Sequence, residues 1–249
     1  MAATLTTQST TPTPEGRALR STVAYKALMA VTGLFLVAFL LMHMFGNLKL
    51  LIPDKGAEFD AYSRSLRTLL YPILPNGFFL WTFRIVLSLS VIVHLAAAVH
   101  LTLRDYRARG GGGRARYIRR RYLEGSFAAR TMIWSGVIIV SFLIFHVLQF
   151  TDQVVKIGYA AGDPAGTQPH LRVVLAFQNP LILLLYAVAM GAVCLHVWHG
   201  FYSAFCTLGA RVGATTQTLF RVLAWIVAVL LFVGFMLAPV LIAIGVISQ

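Results

Sequence analysis

Cysteine and acid are scarce in this chain. Its 249 residues hold two cysteines, and eight Asp and Glu against 21 Lys and Arg. Cys194 and Cys206 fall on one expected helix, where helical rise separates them by about 18 Å, far beyond disulfide reach. There is no C-x-x-C-H run, which argues against covalent c-type haem attachment. The shortage of acids leaves a net charge of +13. That excess invites a nucleic-acid reading, but the placement of the charges speaks against it: they gather in short connections between long apolar runs.

Those runs dominate what is present. Hydrophobic residues make up 58% of the chain and charged residues 12%, which excludes a disordered chain and is too apolar for an ordinary soluble domain. Runs of about 20 apolar residues match the hydrocarbon core of a bilayer. Five spans are expected, at about Tyr25–Leu51, Phe78–Leu103, Ala128–Phe150, Leu181–Leu208 and Leu219–Ile247. The segment before them, residues 1–21, is rich in Thr, Ser and Pro. It reads as a polar tail, and 22–249 as one transmembrane domain. Ala57 to Leu70, between the first two spans, has helical spacing and mixed charge, as in a short helix lying on the membrane surface. Residues 151–178 read as a polar loop, closed by Asn179-Pro180 as a helix cap with proline at the first position. Pro239 is expected to kink the last span.

Five spans put the termini on opposite sides. Nine arginines, from Arg104 to Arg130, occupy the connection after the second span. The positive-inside rule then places that connection and the N-terminus in the cytoplasm, where the arginines meet anionic lipid or a docked partner protein.

Histidine carries the functional reading. Ionisable side chains are costly inside a membrane and mark function there, and histidine is a common axial ligand of haem iron. Of seven histidines, His170 lies in a polar loop and reads as solvated; His43, His94, His100, His146, His196 and His199 lie in or near spans. His43 and His146 each come about 18 residues into helices running outward. His94 and His196 each come about 16 residues into helices running inward. Two level pairs result, set about 12–15 Å apart along the membrane normal, as two stacked bis-histidine b-type haems require. A lone intramembrane histidine more often just bonds a neighbouring helix; the level pairing favours ligands. His94 is preferred to His100, which lies nearer the interface. His196 matches His94 better in depth and is preferred to His199, although Gly200 beside His199 would let a macrocycle approach closely.

The order of several pieces resembles a known family. They are Gly33 through His43-Met44-Phe45-Gly46-Asn47, Val93-His94-Leu95, Arg130 through Phe145-His146-Val147, and Leu195-His196-Val197-Trp198-His199-Gly200. Together they resemble the cytochrome b membrane anchor of succinate:quinone oxidoreductases and fumarate reductases, in the single-chain, dihaem class. The resemblance implies an all-α integral membrane protein, a five-helix bundle holding two haems b. It implies His43 with His146 on the distal haem and His94 with His196 on the proximal one. It implies a flavoprotein subunit and an iron–sulfur subunit on the cytoplasmic side of a bacterial inner membrane, and electron transfer to a quinone, menaquinone in this class. The chain itself has no flavin motif and no iron–sulfur cysteines, so succinate chemistry is left to the partners. No nucleic-acid partner is expected.

Further candidates follow. Arg20, Ser21, Tyr25 and Lys26 could serve a quinone near the inner face; Glu58, Asp60 and Arg64 could do so near the outer face. Arg84, Arg130 and Lys49 could meet haem propionates, with His100 and His199 as alternative ligands or neighbours. Two other functions compete: a dihaem cytochrome that oxidises quinol for another respiratory enzyme, and a transporter whose histidines relay protons. Interrupted helices or internal repeats would favour the transporter.

Overall fold

The computed structural model describes residues 21–108, 127–210 and 213–248, with backbone alone for 127–130. No strand occurs among them. Seven α-helices do: α1 (Thr22–Leu48), α2 (Ala57–Thr68), α3 (Phe78–Ala108), α4 (Phe127–His146), α5 (Pro169–Phe177), α6 (Pro180–Thr207) and α7 (Ala214–Ala243). Five of them, α1, α3, α4, α6 and α7, are long and apolar enough to cross a membrane. The chain is a multi-pass membrane protein.

Local chemistry sets the helix ends. The Ser21 hydroxyl accepts from the Ala24 amide at 3.1 Å and so caps α1. Asn179 caps α6 by accepting from Leu181, with Pro180 at the first position, where its missing N–H costs nothing. α7 begins about a turn before the expected Leu219. Thr216 and Gly213 bond reciprocally at its start, so the polar Thr215, Thr216 and Gln217 form its first turn rather than a loop. α4 ends at His146 and passes directly into a π-turn, Val147–Thr151. Pro239 lies buried within α7.

The expected polar loop 151–178 needs correction. It contains α5, whose Val174 and Phe177 are buried with Tyr186 and Ile242. Three buried apolar residues, Val174, Ala176 and Phe177, and a proline start favour helix over these nine residues despite the polar His170 and Arg172. His170 is likewise not simply solvated. Its backbone N–H and its Nδ1 both bond the Asp60 carboxylate, at 3.0 and 2.8 Å. Asp60, on α2 and 6% exposed, thus caps the N-terminus of α5. A carboxylate suits the positive end of a helix dipole, and α5 has no side-chain cap of its own. α2 and α5 lie in alternate connections, which antiparallel spans bring to the same end of the bundle, and they pack together there.

α6 is the centre of the bundle. It packs against α7, α4 and α1, while α7 also packs on α1 and α3 packs on α1. Small residues let α6 and α7 approach closely: Ala189, Ala192, Ala204, Ala224 and Ala228 are buried, as expected where lipid replaces water. Gly234 of α7 admits the Met44 thioether of α1. Outward side chains such as Val31, Trp81, Ile92, Leu184 and Val229 are exposed and apolar, a surface matched to lipid. Neither α1 with α4 nor α3 with α6 is among the helix pairs in sustained contact.

Candidate functional site

Those two non-neighbouring helix pairs carry the histidines. His43 of α1 faces His146 of α4, with ring centres 5.8 Å apart and ring planes at 86°. His94 of α3 faces His196 of α6, with centres 6.3 Å apart and planes at 60°. Two nitrogens bound to opposite sides of one metal, at about 2.0 Å each, put the ring centres about 6 Å apart. Both separations could therefore hold a metal between two imidazoles.

The levels can be read along α1 and α4. His94 contacts Met29, Thr32 and Gly33 of α1, and His43 lies ten residues beyond Gly33. His196 contacts Ser135 and Gly136 of α4, and His146 lies ten residues beyond Gly136. Ten residues of helix span about 15 Å. The two pairs thus stand about that far apart along both helices.

Hydrogen bonds decide which ring nitrogen is free. The His94 Nδ1 lies 3.1 Å from the Met29 carbonyl, which can only accept, so Nδ1 carries the proton. The Ser135 hydroxyl donates to the Met132 carbonyl at 3.0 Å and lies 3.1 Å from His196 Nδ1; with its proton committed, it accepts from His196. The Tyr186 hydroxyl donates to Gln149 Oε1 at 2.8 Å and lies 3.1 Å from His146 Nδ1, so it too accepts. In all three rings Nε2 keeps its lone pair. An imidazole fixed through Nδ1–H and open at Nε2 is the usual state of a metal ligand. His43 differs: among the described residues it has ring contacts alone, with Phe39 at 5.4 Å and Phe235 at 5.6 Å besides His146.

Glycines stand beside the His94–His196 pair. A Cβ on Gly33 would come within 3.2 Å of His94 Cε1, and one on Gly136 would meet His196 Cε1 at 3.9 Å. Among the described residues no group of three or more His, Cys, Asp or Glu converges as a metal site. Two-point ligation along one axis is what the arrangement offers.

The other expected residues scatter. His199 is half-buried and stays outside both pairs. His100 stacks on Tyr25, with centres 4.1 Å apart, which brings together two inner-face candidates. Ser21 is engaged as a helix cap, and Lys26 is exposed. Arg20 and the side chain of Arg130 lie outside the described residues. Arg84 lies over the Trp81 ring at 5.2 Å. Lys49 is paired with Glu58 at 2.7 Å, and Asp60 with His170. These two pairs tie down the outer-face candidates Glu58 and Asp60, together with the propionate candidate Lys49.

Met29, Thr32, Ser135, Tyr186 and Gln149 complete the site and are absent from the sequence-based expectation. A signal for part of it exists. Met29-Ala30-Val31-Thr32-Gly33 and Met132-Ile133-Trp134-Ser135-Gly136 are the same pattern, Met-x-x-Thr/Ser-Gly, each followed by histidine ten residues after the glycine.

The chain matches no known protein-family pattern, no curated protein and no solved structure.

Proposed function

We propose that this chain is the membrane-anchor cytochrome b subunit of a succinate:menaquinone oxidoreductase, holding two haems b. The observation that carries the reading is the pair of facing histidine couples, four ligands on four helices, with three rings fixed through Nδ1. His43 and His146 would hold one haem, and His94 and His196 the other. Bound haem would supply a one-electron couple at each level, about 15 Å apart, and so a route for electrons across the apolar bundle.

The chain's own residues would do the rest. Met29, Thr32 and Ser135 orient the inner ligands, Tyr186 orients one outer ligand, and Gly33 and Gly136 leave room beside the inner rings. The wide spacing of α1 from α4 and of α3 from α6 fits a flat group inserted between them. Succinate as the ultimate donor rests on the resemblance in motif order. So do the flavoprotein and iron–sulfur partners, the quinone and the bacterial inner membrane with the N-terminus in the cytoplasm.

The test is a reduced-minus-oxidised absorption spectrum of the purified chain. We expect b-type bands and about two haems per chain, and co-purification with a flavoprotein that oxidises succinate. A haem-free chain sinks the reading. Two haems with a different catalytic partner would make it the quinol-oxidising cytochrome of another enzyme.

A further inference from the structure

The outer histidine pair is built unevenly, and the unevenness assigns a role to two residues outside the ligand set. His146 is bonded through Nδ1 to the Tyr186 hydroxyl, while among the described residues His43 has only ring contacts. The Tyr186 ring is itself boxed by Phe142 and Phe177, with centres at 4.9 and 4.8 Å in edge-to-face geometry, and is 7% exposed. Such contacts fix its plane. Its proton goes to Gln149, which is 3% exposed and sits in the π-turn that follows His146. π-turns commonly mark functional positions. The three side chains form one line: the His146 N–H to the Tyr186 oxygen, and the Tyr186 O–H to the Gln149 carbonyl oxygen.

We propose that Tyr186, held by Gln149, is the positioning residue of the outer site: it fixes the His146 ring plane nearly perpendicular to His43 and increases electron donation from Nε2. The proposal rests on the reading of the chain as a dihaem cytochrome. A hydroxyl that accepts from Nδ1–H makes the imidazole a stronger donor at its other nitrogen. A stronger donor stabilises the more oxidised metal and lowers the reduction potential of that site. Gln149 strengthens the effect, because a hydroxyl that donates is a better acceptor.

The test uses the whole chain in its purified complex, with potentials and low-spin electron paramagnetic resonance as readouts. His43→Ala first identifies the outer component by its loss. In Tyr186→Phe the ring still fills its box. The outer component should titrate at a higher potential and its resonance should change as the ring angle relaxes, with the inner component unmoved. Gln149→Leu should shift the outer potential the same way by less, since the tyrosine oxygen remains. Loss of the outer haem alone in Tyr186→Phe would support the same role, because only the oxygen has gone. Unchanged potentials, an equal shift in both components, or loss of both haems would overturn it. If the unaltered chain carries no haem, the reading it rests on fails first, and the two failures are distinct.

Discussion

Gly33 and Ser135 show how little space and how few atoms the His94–His196 pair depends on. Gly33 lies on α1 against the His94 ring, where even a methyl group would come within 3.2 Å of Cε1. That is tight enough that the imidazole must tilt, and a branched side chain would displace it. Gly33→Val is therefore expected to cost one of the two haems under the proposed function, while Gly33→Ala leaves both with a perturbed spectrum. Ser135→Ala removes the acceptor of His196 Nδ1–H. Removing such an outer partner typically costs about 10–100-fold in metal affinity. Haem retention during stepwise extraction, compared with the unaltered chain, measures both effects; equal retention in Gly33→Val would show that crowding at this position does not displace the His94 ring. The histidines were legible in the sequence because charge is conspicuous among apolar residues, and their pairing was legible because depth follows from counting along a helix. Thr32 and Ser135 were not. A hydroxyl in a span is ordinary, and only the repeated Met-x-x-Thr/Ser-Gly pattern sets these two apart. Tyr186 and Gln149 had no local signal, since their meeting depends on α6 packing against α4 and on the π-turn after His146.

At the scale of the element, one end of the bundle is fastened by α2 and α5. The fastening is one carboxylate: Asp60 accepts from both the backbone and the ring of His170. Gly56 makes the approach possible. It has φ of 80°, and a side chain there would run into the His170 ring. Asp54 secures the start of α2 by accepting from the Gly56 and Glu58 amides at 3.0 and 2.7 Å. Removing a buried hydrogen-bonding partner leaves desolvated donors unpaired, at about 1–3 kcal/mol. Asp60→Ala should therefore lower the thermal midpoint of the detergent-solubilised protein and expose 169–177 to proteolysis before any span opens. Unaltered proteolysis there would mean that apolar burial of Val174 and Phe177 holds α5 by itself. The long spans were readable to within a few residues because composition alone identifies them. α5 was missed because a nine-residue helix with histidine and arginine in it has no long apolar run. Its anchor is Asp60, 110 residues away in the chain, and no short window of sequence contains both.

At the scale of the whole molecule, the charges set the expected orientation, and the order of the two histidine pairs across the membrane follows from it. The apolar exterior fixes that the bundle lies in a membrane but leaves open which way round. The excess of arginine between α3 and α4 favours the cytoplasm for that connection, and α2 and α5 then face outward. If so, the His94–His196 pair lies toward the cytoplasmic side, beside the stacked Tyr25 and His100, where an iron–sulfur partner would deliver electrons. The His43–His146 pair lies below the outer cap. Single cysteines at exposed positions decide the matter. In a background with Cys194→Ala and Cys206→Ala, Arg64→Cys on α2 should react with a membrane-impermeant maleimide in intact cells, because Arg64 is exposed on the capped end. Arg107→Cys, exposed near the end of α3, should react only after the membrane is opened. The reverse result would invert the bundle. The histidine pair near α2 and α5 would then face the cytoplasm, and under the proposed function a cytoplasmic electron donor would have to deliver to His43 and His146, so the labelling pattern tests the order of the two histidine pairs as well as the topology.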